Sequence, residues 1–123
     1  MVKRLVIEEY VPSEDASEKK LYFSSKTVIL VNNVVSFRYN KYYPDEPSPW
    51  VDFEIVAPNF STHFTIHYRH AEMLLDKIFS KDEEELVIKV LQGRFVADEK
   101  SVRPYWDEDR DSRYEFVKEW GSE

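Results

Sequence analysis

Three histidines fall within eight residues, at positions 63, 67 and 70. They are the side chains of this sequence best suited to acid–base work or to metal ligation. On a helix, spacings of four and three would place all three on one face and make a zinc site credible. The surrounding pattern is that of a strand instead. Phe60, Phe64, Ile66 and Tyr68 are separated by even numbers and alternate with Ser61, His63, Thr65 and His67. In a strand His63 and His67 point the same way but stand roughly 13 Å apart, at ~3.3 Å per residue. One ion cannot bridge that gap. The reading is of exposed histidines on a solvated sheet face, and neither a metal nor another cofactor is expected.

Other chemistry is limited by residue type. Without cysteine there are no thiolate nucleophiles, thiolate metal sites or disulfides. The two glycines, Gly93 and Gly121, cannot build a phosphate-cradling loop. Asp52 and Glu54 are paired carboxylates, but they alternate outward from a strand pattern, where solvated charge is ordinary. Asp107-Glu108-Asp109 with Asp111 has the acid density of a calcium loop but lacks its glycine turn and its later glutamate. His63-Phe64-Thr65-Ile66 resembles one copy of the His-apolar-Thr-apolar motif of the two-histidine phosphoesterases. That family uses two facing copies as acid and base on a phosphodiester. Here His67-Tyr68-Arg69 and His70-Ala71-Glu72 lack the hydroxyl residue, so the second copy is missing and the family is not assigned.

Two stretches carry the composition of a contact surface. Phe37–Tyr43 interleaves rings with positive charge, and Arg38 and Tyr42 are its outward members if the odd-numbered rings are core. With His63 and His67 they make an alternative surface. Between Arg103 and Asp111, Tyr105 and Trp106 precede Asp107, Glu108, Asp109 and Asp111, rings beside charge of the kind that anchor protein contacts. These six are the expected partner-binding residues.

The elements that must position these groups follow from the hydrophobic pattern. Val2–Val11 reads as a strand, 12–20 as a polar loop that need not be ordered, and Leu21–Phe23 as a short strand. Thr27–Val31 is an apolar run ending in Asn32-Asn33, a two-residue hairpin turn. Val35, Phe37 and Tyr39 alternate with polar residues, as do Val51, Phe53 and Ile55 within Trp50–Val56. Ala71, Leu74, Leu75, Ile78 and Phe79 form a helical stripe. Residues 86–92 fit either a helix, with Gly93 as its C-terminal cap, or a strand rich in β-branched residues. The helix is preferred. A last helix is expected from Asp111-Ser112, with Glu115 completing a capping box. The expected fold class is therefore α+β, a mainly antiparallel curved sheet of five or six strands packed by two or three helices. Its order of four strands and a helix resembles a pleckstrin-homology-like half barrel. All 123 residues form one domain, with an acidic C-terminal helical segment from about 105.

Residues 82–123 carry six of the seven excess negative charges. Such a surface repels nucleic acid and favours a basic protein partner. The N-terminal apolar run is too short for a leader, and nothing approaches a membrane span, so the expected location is cytoplasmic. The function expected from these features is non-enzymatic: a regulatory protein that docks on a macromolecule. One version is an acidic inhibitor, of the type phages encode, of a nucleic-acid-handling protein. The rivals are a small hydrolase or phosphoesterase using His63 and His67, and a subunit of a homo-oligomer.

Overall fold

The computed structural model describes residues 1–15, 17–41, 47–97, 101–102 and 114–118. In chain order these form β1 (Arg4–Pro12), β2 (Lys20–Leu30), a 3-10 turn (Val31–Asn33), β3 (Ser36–Lys41), β4 (Trp50–Ala57) and β5 (Phe60–His67). There follow α1 (Tyr68–Ser80), β6 (Glu85–Leu91), β7 (Arg94–Ala97), β8 (Ser101–Val102) and β9 (Tyr114–Val117). All nine strands belong to one sheet, ordered β3-β4-β5-β7-β6-β1-β2-β9-β8.

This corrects the expected fold class. The sheet has nine strands and is mixed: β1 runs parallel to β6, β2 to β9 and β5 to β7. Among the described residues there is one α-helix, and four strands follow it. Residues 85–91 are a strand because the sheet buries them from both sides. Leu86, Ile88 and Val90 join the cluster under α1, while Lys89 and Leu91 are buried on the other face. A strand covered twice reads as a continuous apolar run and loses the period-two signal. Gly93 is no helix cap. Gln92 (φ 50°) and Gly93 (φ 80°) form the two-residue link between β6 and β7, both in the left-handed region that a tight hairpin turn of the I′ kind requires. Tyr114–Val117, expected in the last helix, pair with β2 and β8. Asn32-Asn33 lies at a 3-10 turn, and the strands on either side of it pair with β1 and β4 rather than with each other.

The helix stripe was legible, and it explains the larger core. Ala71, Leu74 and Ile78 lie against Leu5, Ile7, Phe53, Ile55, Phe64, Ile66 and Ile88. Phe53 and Phe64 stack directly, with centroids 5.3 Å apart. The connection after β2 shows that this sheet cannot lie flat. β2 and β3 are six strand positions apart, about 29 Å at ~4.8 Å per strand. The chain from Leu30 to Ser36 reaches at most about 20 Å. The sheet must therefore curl as well as twist so that the two strands approach, and α1 packs on its inner face.

The opposite face holds a smaller cluster of Tyr10, Leu21 and Leu91, with Phe23, Val96 and Phe116 packed against it. A bulge at Ser24 makes this possible: Glu9 pairs with Ser25 but Tyr10 with Phe23, which shifts the alternation and turns Leu21 and Phe23 to this face. Glu8 is buried here too. Tyr10 donates its hydroxyl to Glu8 Oε1 (3.1 Å), and Lys118, just after β9, donates to Glu8 Oε2 (2.8 Å). Burial, followed by the Glu8 charge and hydrogen bond, raises the Tyr10 phenol far above its ordinary range.

Candidate functional site

β4 and β5 form a hairpin whose inward side chains are Val51, Phe53, Ile55, Phe64 and Ile66. Period two therefore turns Trp50, Asp52, Glu54, His63, Thr65 and His67 to the other face. Asp52 faces Thr65 and Glu54 faces His63 in register. His63 reaches diagonally to Asp52, with Nδ1 3.1 Å from Oδ1. Its side chain is 71% exposed. Arg38 on β3 donates to Glu54 Oε1 at 2.9 Å, so it serves as the ion-pair partner of a strand carboxylate.

The sheet has a seam beside this hairpin. β5 meets β7 through one register pair, Thr65 with Arg94, and through the Thr65 N–H to Gly93 C=O bond of 2.8 Å. Where the strands diverge, a groove of about 390 Å³ opens, lined by Ser48, Trp50, His63, Thr65, Arg94 and the Gln92-Gly93 turn. That volume lies within the range of small-molecule sites. The His63–Asp52 pair holds one ring nitrogen and leaves Nε2 to a ligand, the geometry in which a carboxylate orients an imidazole for acid–base work or anion contact.

His67 does not join it. His67 caps α1, its Nδ1 accepting from the Arg69 N–H (3.2 Å), and its ring lies against Trp50, Tyr68 and His70. Burial lowers its pKa, and the charges of His70 and Arg69 lower it further. Since the folded value lies below the unfolded one, the His67 contribution to stability is complete above about pH 6.5. It is lost as pH falls from there through the folded value. The thermal midpoint is expected to fall between pH 7 and 5 by more in the wild type than in His67→Asn, which keeps a cap acceptor but does not titrate. Parallel pH curves for the two proteins would contradict this.

Among the described residues, no three His, Asp or Glu side chains converge to hold a metal ion, and no helix is long and apolar enough to cross a membrane. A second concavity of about 480 Å³ lies beside the edge strand β3, with Val35, Phe37, Leu75 and Phe79 among its lining. It is apolar and offers contact area rather than chemistry. Tyr42, Tyr105, Trp106, Asp107, Glu108, Asp109 and Asp111 lie outside the described residues.

Sequence reasoning singled out His63 but missed its partner and its neighbours. Aligning the two alternating runs across the Ala57-Pro58-Asn59 break would have placed Asp52 near His63. Arg94, Gln92 and Gly93 arrive through a long-range pairing that leaves no local signal. Compared with protein-family models, curated proteins and solved structures, the chain matches none.

Proposed function

We propose that the protein is a non-enzymatic binding protein that docks on a macromolecular partner with a basic surface. The observation that supports this most directly is the pairing of β8 with β9, Ser101 with Glu115 and Val102 with Tyr114. Residues 103–113 are thereby the connection between two neighbouring strands, whose axes stand about 4.8 Å apart at the sheet edge. That connection contains Tyr105, Trp106, Asp107, Glu108, Asp109 and Asp111. Phe116 in β9 and Lys118 just after it contact Tyr10 and Glu8. Rings beside four carboxylates suit a basic groove, and the nucleic-acid-binding surface of another protein is the version the charge favours.

The test is capture from the native cell with identification of the bound protein, followed by binding measured against salt. The complex is expected to weaken at least about tenfold from low to high salt, and to be lost when Asp107, Glu108, Asp109 and Asp111 are replaced together by lysine. Salt-independent binding, or binding that survives the fourfold replacement, would overturn this reading. A second reading, a small hydrolase or phosphoesterase, draws support from the His63–Asp52 pair alone, because the Nδ1 of His67 is engaged in the helix cap.

A further inference from the structure

We propose that the groove at the β5–β7 seam is a binding site for a small phosphate monoester carrying an aromatic ring, a ligand of the mononucleotide class. The positive charge comes from Arg94, which stands beside Thr65 on the neighbouring strand. His63 lies two residues from Thr65 on the same face, so its imidazole and the guanidinium approach the groove from adjacent strands. The Asp52 carboxylate holds His63 Nδ1 as the N–H donor and leaves Nε2 to meet a phosphate oxygen. A phosphate monoester carries about −1.5 to −2 charge near neutral pH, and its oxygens accept from an imidazole N–H and a guanidinium alike. Thr65 lines the same groove.

The ring preference comes from Trp50. Its indole is a wall of the same groove, and His67 packs edge-on against it at 5.7 Å, which fixes its position. A planar base can stack on that wall within a groove of about 390 Å³ that His63 and Arg94 also line. Asp52 acts through His63 and is a positioning residue.

The test is an NMR titration of the full chain with adenosine 5′-monophosphate, inorganic phosphate and adenosine in separate arms. Saturable shifts are expected at His63, Thr65 and the Trp50 indole. The monophosphate should bind at least about tenfold more tightly than either fragment. His63→Gln and Arg94→Gln should each weaken it at least about tenfold. His63 is exposed, and spectra unchanged away from the groove will show that its variant is folded. Asp52→Asn should weaken binding and also convert the His63 ring nitrogens from one fixed tautomer to a mixture, a signature that a purely structural carboxylate would not give. No saturable shift at millimolar ligand would overturn the proposal. So would adenosine binding as tightly as its monophosphate, or unchanged affinity in His63→Gln.

Discussion

Phe53→Ala is expected to cost about 3–5 kcal/mol, read as a lower urea midpoint with little change in slope. Phe53 has no exposed surface and stacks on Phe64 with the rings 17° from parallel. Removing it leaves a cavity between two strands that α1 already covers, and those strands cannot close on it while β3, β4 and β5 remain paired. Phe79→Ala deletes the same atoms from a residue that is 53% exposed and packs edge-on against Phe37, and should cost under about 1 kcal/mol. Both phenylalanines sit on apolar stripes in the sequence, so composition cannot tell them apart. Equal costs would mean that the core is not where β4 and α1 place it. The doubly substituted Phe53→Ala/Phe64→Ala chain should lose less than the two single losses added, because the second deletion enlarges a cavity already open. The substitution also reports on the groove. Asp52 and His63 are held by the strands that Phe53 and Phe64 pin, so their 3.1 Å contact should loosen with the core.

The part of the fold that was legible is the part whose signals are local. β4, β5 and α1 each bury one face, and one buried face prints its period on the sequence: two for Val51, Phe53 and Ile55, near 3.6 for Ala71, Leu74 and Ile78. β6 buries two faces and prints none, so Leu86, Val87, Val90 and Leu91 looked like a helical stripe. A run of seven residues is short for a helix, and that length was the available clue. β9 misled through its polar flank, since Ser112 and Glu115 have capping-box spacing although Tyr114–Val117 pair as a strand. The candidate site divides in the same way. His63 is visible by residue type, and Asp52 by the register of one hairpin. Arg94 reaches the groove only because β7 lands beside β5, a pairing between distant segments that no nearby residue encodes. The buried charge on the second face was hidden for that reason too: Glu8 and Lys89 are register partners only through the parallel pairing of β1 with β6, and Lys118, which pairs with Glu8, comes from the far end of the chain.

Lys118→Met is expected to destabilise the fold by about 1–3 kcal/mol, although it removes a side chain that is itself 53% exposed. The cost falls on the partner. Glu8 is 5% exposed, and without Lys118 Nζ at 2.8 Å its carboxylate keeps the Tyr10 hydroxyl but loses that ion pair. Breaking a fully buried pair costs more, about 3–5 kcal/mol; the exposure of Lys118 reduces the figure here. Methionine retains the apolar stem of the lysine, so the change is confined to the charged end. Adding Glu8→Gln should restore part of the loss, because a neutral amide still accepts from Tyr10 and no longer strands a charge. The doubly substituted chain is therefore expected to be more stable than Lys118→Met alone, a reversal that simple contact counting would not give. The loss should appear first at β9, which is held to β2 by three register pairs and by the Glu115 N–H to Lys19 C=O bond of 2.9 Å. Amide exchange at Glu115, Phe116 and Val117 should accelerate in Lys118→Met more than exchange at Phe53 or Ile88. Uniform acceleration would assign the pair to global stability. Preferential acceleration at β9 would make Glu8 the anchor of the strand that follows residues 103–113 in the chain.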